Sequence, residues 1–449
     1  MSQFAITGGK PLCGEVGCGG AKNAALPIMA AALLASEPVR LENVPRLTDV
    51  DTLAAVLRGL GMRITQARDS MQLETIALRS CRAHEKWVRR MRASFCVLGP
   101  LLARRGRAVV PMPGGCNIGN RPVDLHLKGL AALGADLRLE RGYVVASARR
   151  LVGANVELSG PCGSTVTGTA NVLSAATLAR GVTTIRYAAV EPEIADLGRF
   201  LIALGAKIDG LGNSTIRIEG VDQLGGASHR LIPDRIEAAT LLMAAVITGG
   251  SAKVHGVRIE HVAAIVEMLR AAGAEIEMGD DCVSIDMKGR LQPVDLVAEP
   301  FPGIPTDIQA QWTALMSVAD GTSRVCDRVF PQRFQHVAEL NRLGARIACV
   351  GDTAVIDGVP RLSGARVSAS DLRASAALVL AGLVADRQTI VGHIHHLDRG
   401  YDRLDAKLRS LGAQIERVDC PPSDRETVQG GQSLVPAPKG RGEISAMRR

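Results

Sequence analysis

The strongest constraint in this sequence is that it repeats itself. The phrase L-x-x-L/A-G-x-x-I/L occurs six times, at Leu57–Ile64, Leu130–Leu137, Leu201–Ile208, Leu269–Ile276, Leu340–Ile347 and Leu408–Ile415. Successive starts lie 73, 71, 68, 71 and 68 residues apart. Each copy reads as the end of an amphipathic helix, a glycine closing its last turn, then a strand. Near-constant spacing of this kind means one folding unit used six times.

A second series interleaves with the first. Ala/Leu-rich segments follow polar starts at Lys22-Asn23, Arg92, Thr167, Asp234-Arg235, Asp307 and Asp371-Leu-Arg373. Most are apolar on nearly every side after their first turn, and a helix without a polar face belongs in an interior. Each unit of about 70 residues therefore reads as strand, buried helix, strand, surface helix, strands. Three buried helices need a common wall of sheet, so the expected class is α/β with two domains of three units each. Gly19-Gly20 and Leu231-Ile232-Pro233 are the expected crossovers. That puts residues 22–232 in one domain and residues 1–21 with 233–420 in the other. Residues 421–449, rich in Pro, Gly, Ser and charge, read as a disordered tail.

Composition narrows the function. At 449 residues the chain is too long for one ordinary core. Aromatics make up only 2%, which argues against a single-stranded nucleic-acid binder, because such proteins need stacking platforms. The net charge of +8 is dispersed and suits anionic small molecules. The longest apolar run, Ala24 to Ala35, has 12 residues, short of the roughly 18 needed to span a bilayer. Ten cysteines include no C-x-x-C pair and no zinc-like spacing. Several lie in apolar runs, which predicts reduced, buried thiols in a cytoplasmic protein.

The chemistry concentrates at Pro113–Leu127, PGGCNIGNRPVDLHL. Gly114, Gly115 and Gly119 let this loop approach a ligand closely. Cys116, with Arg121 five residues on, has the surroundings of a chemically active thiol. Helix N-termini carry unsatisfied N–H groups and partial positive charge. If the buried helices of both triplets start at one cleft, with Lys22, Arg92, Arg121 and Arg373 there, that cleft is prepared for phosphate and carboxylate.

These residues carry a resemblance. GAKNAALP (20–27), MRAS (91–94), PGGC-x-IG-x-RPVDLH (113–126), EPEI (191–194), PDRIE (233–237), PTD-x-QAQ (305–311), DLRAS (371–375) and DRGY (398–401) resemble the UDP-N-acetylglucosamine enolpyruvyl transferase family over residues 3–418. The resemblance implies a pair of inside-out α/β barrels that open and close on one another. It also implies addition of a sugar 3′-hydroxyl to phosphoenolpyruvate followed by loss of phosphate, the first committed step of peptidoglycan precursor synthesis. Its proton donor would be Cys116, the position that fosfomycin alkylates in this family and that forms adducts with phosphoenolpyruvate. Asp307 would be the carboxylate base. Lys22, Arg121 and Arg399 would neutralise phosphoenolpyruvate with support from Asn23, and Asp371 and Arg373 would orient the reacting centre. The nucleotide would lie along Arg92, Arg121, Pro122, Val123, Asp124, Leu125 and the segment Gly163, Ser164, Thr165, Val166, with Val329 closing over it. No metal and no cofactor are implied, and a monomer is favoured.

Two positions depart from the family pattern: Thr167 stands where a glycine is usual, and Thr48 where many relatives carry a basic residue. Alternatives stay open, namely the sister chemistry on shikimate 3-phosphate, or a catalytically silent nucleotide-binding relative. His393-x-His395-His396 is expected on a strand entering the Asp398-Arg399 loop without metal partners. Glu191-Pro192-Glu193 is expected to open a helix, and Trp312 to be core.

Overall fold

A computed structural model describes residues 2–114, 123–160 and 163–419. Cys116, Arg121, Pro122 and the expected tail lie outside the described residues. All six L-x-x-L/A-G-x-x-I/L phrases have the same local structure. The helices Thr48–Leu60, Asp124–Ala132, Pro192–Ala203, Ile259–Ala271, His336–Arg342 and Leu404–Ser410 are each followed by a glycine at positive φ and then a strand. At Gly61 that φ is 111°, a conformation a Cβ would strain.

The polar-started segments form α1 (Lys22–Ala31), α2 (Leu98–Arg105, led in by a 3-10 turn from Arg92), α3 (Val166–Ala176), α4 (Arg235–Ile247), α5 (Thr306–Met316) and α6 (Leu372–Val384). Every residue of α4 is buried, as are Leu372 to Leu383 of α6, so the all-apolar pattern does place these helices inside. Trp312 is fully buried in α5, its indole N–H donating to the Val294 carbonyl at 3.2 Å.

Around the helices stand small sheets of one recurring wiring. Asn155–Glu157 runs parallel to Val182–Arg186, which pairs antiparallel with Thr215–Glu219, which pairs antiparallel with Lys207–Asp209. The same parallel, antiparallel, antiparallel order holds in all five four-stranded sheets of the described residues. In the three-stranded sheet of Arg107–Pro111, Tyr143–Ser147 and Asp136–Glu140, an isolated parallel bridge from Arg82 to Val109 stands in the fourth strand's place. The strand Ser2–Thr7 lies between Gln388–Gly392 and Gln414–Asp419, with Phe4 opposite Val391 and Arg417.

The buried apolar residues form two clusters. One draws on residues 21–232, the other on residues 4–16 and 236–415. The chain passes between them twice, side by side: Ala21 N–H donates to the Ile232 carbonyl and Asp234 N–H to the Gly19 carbonyl, both at 2.8 Å. Arg235 forks onto Glu193 with N···O distances of 3.0 and 3.2 Å beside that crossing, so Glu193 has a structural partner at the start of its helix.

Two expectations are corrected. Of the seven described cysteines only Cys96 is buried; Cys13, Cys282, Cys326 and Cys349 lie on strands at positions open to solvent, which an apolar run does not reveal, and Cys18 and Cys81 lie outside strands. The histidine triplet is not on a strand. The strand ends at Gly392, His393 turns left-handed at φ 56°, and His395 and His396 lie in the 3-10 turn Ile394–Arg399. Among the described residues no helix is long and apolar enough to cross a membrane.

Candidate active site

The inner helices begin where their sequences turn polar, and capping explains how. Asp234 accepts from the N–H groups of Ile236 and Glu237 at 2.8 and 3.1 Å, and from that of Lys22 at 3.2 Å, so one carboxylate serves two helix N-termini. Asp371 caps α6 through the N–H groups of Arg373 and Ala374. Asp371 is buried there, 4% exposed. Asp307 sits in the first turn of α5, which has no side-chain cap, so its negative charge meets the positive end of the helix.

Asp307 is the centre of the site. Arg373 donates to Oδ2 at 2.7 Å, Arg333 to Oδ1 at 2.9 Å, and Asn23 reaches Oδ2 from the other core at 3.4 Å. Burial works against the carboxylate form, but Arg373 and Arg333 outweigh it and hold Asp307 well below the usual carboxylate range. Arg373 is 1% exposed and lies 5.2 Å from the ring centroid of Tyr401. Burial pulls its pKa down, and Asp307 more than restores it, so it is held charged. Its Nε and Nη1 have no hydrogen-bond partner among the described residues, which leaves buried donors suited to an anionic ligand. Tyr401 is fixed by Gln311 at 2.9 Å and Thr240 at 3.0 Å.

A second knot adjoins the first through Asn23. Lys22 Nζ lies 2.9 Å from one oxygen of Asp49, and Arg399 Nε lies 2.9 Å from the other. Burial raises the Asp49 pKa, but the two cations prevail and lower it. The loop that carries Arg399 is held by Arg417, which forks onto Asp398 at 2.7 and 2.9 Å. Lys22, Asn23, Asp307, Arg373 and Arg399 thus form one continuous network, although residues 22 and 23 belong to one core and the other three to the second.

The residues expected to bind the nucleotide lie, where they are described, elsewhere on the first core. Val123 is buried and Leu125 half-buried at the start of their helix, and the Leu125 side chain packs on Gly160. Gly160 pairs with Gly163, and Ser159 with Ser164. Thr165 then caps α3 through the Gly168 N–H, with Val166 as the first helical residue. Asp124 is exposed in the first turn of its helix, and Arg92 is half-buried at the head of its 3-10 turn. Val329 lies on the Asp307 side: Asp327 accepts from its N–H at 3.0 Å and from the Thr306 hydroxyl at 2.6 Å.

Thr167, the departure from the family pattern, has a partner. Its hydroxyl lies 3.1 Å from His126 Nε2, while His126 Nδ1 lies 2.9 Å from Asn171 Nδ2. Asn171 Oδ1 accepts from the Gly99 N–H, so its amide nitrogen must donate, and His126 carries its proton on Nε2 toward Thr167. Thr48, the other departure, is exposed at the head of its helix.

Three residues of this site escaped the sequence reading. Arg333 is 5% exposed in the loop before the helix His336–Arg342, and no motif marks it. Asp49 reads in sequence as an ordinary first-turn acid. His336 is 2% exposed, and burial lowers its pKa to about 4. In the histidine triplet, His395 and His396 stack with centroids 4.1 Å apart, and burial followed by His395 lowers the His396 pKa to about 4.

The profile of the EPSP synthase (3-phosphoshikimate 1-carboxyvinyltransferase) family matches residues 6–408. The chain belongs to this carboxyvinyltransferase family. It is 51% identical over 420 residues to UDP-N-acetylglucosamine 1-carboxyvinyltransferase 2 of Carboxydothermus hydrogenoformans, covering 93% of this chain and 100% of that one. Among solved structures, the enolpyruvyl transferase NikO from Streptomyces tendae superposes with a TM-score of 0.85 at 28% identity, covering 94% and 99% of the two chains. An EPSP synthase from Acinetobacter baumannii gives a TM-score of 0.70 at 18% identity, covering 93% and 100%, a likeness of fold alone.

Proposed function

We propose that this chain transfers the enolpyruvyl group of phosphoenolpyruvate to the 3′-hydroxyl of UDP-N-acetylglucosamine, releasing phosphate, as the first committed step of peptidoglycan precursor synthesis. The observation that carries the reading is the identity of 51% along the whole length of the Carboxydothermus relative. The network of carboxylates and cations around Asp307 supports it.

In this reading Lys22, Arg399 and Arg121 neutralise the phosphate and carboxylate of phosphoenolpyruvate, and Asn23 and Arg373 orient it. Cys116 gives its proton to C3 while the sugar hydroxyl adds to C2. Asp307 takes the hydroxyl proton, and later a C3 proton as phosphate leaves. Two guanidinium groups make Asp307 a weak base, and a weak base suffices: as the C–O bond forms, the hydroxyl proton becomes far more acidic than a carboxylic acid. Asp371 acts indirectly, by seating Arg373 at the helix start. Arg92, residues 121–125, residues 163–166 and Val329 bind the nucleotide. The chain works in the cytoplasm as a monomer, without a cofactor or a metal in its chemistry.

The architecture we propose is two inside-out α/β barrels of three repeated units each, residues 22–232 and residues 1–21 with 233–420. The two apolar clusters and the one sheet wiring used throughout support it.

The test is phosphate release with each acceptor in turn. Release that depends on UDP-N-acetylglucosamine is the expected result. Release only with shikimate 3-phosphate would move the chain to the sister reaction that gives the family its name, and release with neither acceptor would make it a silent relative.

A further inference from the structure

Outside the cleft, one cluster of soft and hard metal-ligating groups stands on the outer face of a sheet. The strands Cys13–Gly17, Ser251–His255 and Cys282–Asp286 are neighbours, with His255 directly opposite Cys282 across the antiparallel pair. Alternation sets the faces: Ala252, Val254, Val283 and Ile285 point into the core, so Lys253, His255, Cys282 and Ser284 point outward. Directly opposed side chains stand about 4.5–5.5 Å apart at Cβ, which brings a thiol and an imidazole together. Asp281 precedes Cys282 in the turn, and its carbonyl accepts the Val257 N–H at 2.8 Å, which fixes where its side chain starts. One ligand atom each from His255, Asp281 and Cys282 lies within 4.8 Å of the other two.

Two further features favour a built site over a chance gathering. Glu15, on the third strand, lies 2.7 Å from His255 Nε2. A carboxylate on one imidazole nitrogen holds the proton there and leaves Nδ1 as a lone-pair donor, the usual support of a metal-ligating histidine. Gly279 gives the sulfur its room, because a Cβ there would fall 2.7 Å from Cys282 Sγ. Further along the same strands, Ser284 faces Lys253 and Asp286 faces Ser251, an ordinary solvated surface.

We propose that His255, Asp281 and Cys282 form a zinc-class metal site supported by Glu15, separate from the cleft and independent of the enolpyruvyl reading. Thiolate, imidazole and carboxylate together select a borderline-soft divalent ion such as Zn²⁺ over Mg²⁺ or Ca²⁺. On binding, the Cys282 S–H bond breaks, its proton passes to solvent, and an S–Zn bond forms. Asp281 supplies the second negative charge, so the ion and its three ligands are together neutral, and water fills the fourth position. Tetrahedral bonds of about 2.0–2.3 Å put ligand atoms about 3.3–3.8 Å apart, so side-chain torsions close the last ångström. The site's place gives it a purpose: Cys18 N–H donates to the His255 carbonyl at 2.8 Å, and Val16 belongs to one core while Ala21 belongs to the other. The ion would join two strands directly, and the third through Glu15 on His255, at the root of the first crossing between the cores.

The test is a titration of the full chain, stripped with chelator and desalted, with Co²⁺ and then Zn²⁺. The expected result is one Co²⁺ per chain with a thiolate-to-cobalt absorption band in the near ultraviolet, lost on displacement by Zn²⁺. Cys282→Ser should abolish the band and weaken Zn²⁺ binding at least about 10-fold. Glu15→Gln, an exposed change that leaves the ligands in place, should weaken it about 10- to 100-fold. Cys13→Ser, on the same face, should change neither. No thiolate band, or Zn²⁺ affinity equal in the parent, Cys282→Ser and His255→Gln proteins, would overturn the assignment. So would a band that survives Cys282→Ser and disappears in Cys13→Ser.

Discussion

Replacing a catalytic group often stabilises an enzyme, because active sites crowd like charges; Asp307→Asn should do the opposite. The Asp307 side chain is 24% exposed and is gripped by two guanidinium groups exposed by 2% and 6%. With charge centres about 4 Å apart and an effective dielectric of about 20, each pair attracts by about 4 kcal/mol before desolvation. Removing one partner of a buried pair costs about 3–5 kcal/mol net, because the remaining charge is left uncompensated. Asparagine keeps a carbonyl that can accept one of the two bonds, which sets the expected loss near about 3 kcal/mol. Arg333→Met leaves the bond of 2.7 Å to Arg373 intact and should cost less. The measurement is the urea midpoint at unchanged slope, alongside turnover, which should fall about 10²–10⁴-fold for loss of a base. The folded pKa of Asp307 is depressed, so its stabilisation is complete above the unfolded value of about 3.9 and is lost as pH falls through the folded value. The difference between parent and variant should therefore be flat from about pH 8 to pH 5. An Asp307→Asn protein as stable as the parent, or less affected than Arg333→Met, would show that the carboxylate does not hold these cations.

Three other perturbations separate the parts of the account. His336 is held neutral with a pKa of about 4 against an ordinary value of 6.5, so the unfolded chain takes up a proton that the folded one refuses as pH falls between them. That gap is worth about 3 kcal/mol, and His336→Leu should remove this part of the acid loss, read as urea midpoints at pH 7 and 4.5. Gly20→Ala should cost about 3 kcal/mol or more, since its Cβ would fall 1.7 Å from the Asn43 carbonyl oxygen. Gly19→Ala, whose Cβ meets only the ends of Glu237 and Lys407 at 3.2 and 3.6 Å, should be mild by the same thermal-melt comparison. Cys116→Asp should keep phosphate release while escaping fosfomycin alkylation; a variant that folds and binds both substrates yet releases no phosphate would contradict the thiol-donor reading.

What the sequence made legible is what local chemistry decides. A leucine-glycine phrase ends a helix because only a residue tolerant of positive φ can turn the chain there, and all six glycines do so. Asp234 and Asp371 read as the polar starts of buried helices, and the structure makes them caps because a short carboxylate before an apolar run has orphan N–H groups to satisfy. Arg333 was not legible, because its meaning comes from a carboxylate 26 residues away, brought within 2.9 Å by packing rather than by spacing. Asp49 was hidden for the opposite reason: a first-turn acid has a sufficient local explanation, and nothing local says that Lys22 and Arg399 will converge on it. The cysteines misled because an apolar stretch can be a strand with only one face inward.

The convergence on Asp49 also bears on how the cleft handles charge. Lys22 and Arg399, two of the cations that the reading assigns to phosphoenolpyruvate, are bound to a single buried carboxylate, one oxygen each. That carboxylate offsets part of the charge that the two cations bring into a partly desolvated site. With it, they are held in place beside Asn23, which itself touches Asp307. In the proposed reaction a substrate anion need not gather its cations from solvent; it approaches two that are already oriented and half-neutralised, while Arg373 offers two further donors without a partner among the described residues. Asp49 therefore sets the charge that the ligand must complete, and it keeps the cations from saturating Asp307, whose own pair is Arg333 and Arg373. Among the described residues the four guanidinium and ammonium groups of this network divide between two carboxylates, an arrangement that in the proposed reaction lets Asp49 hold the anion's partners while Asp307 takes a proton.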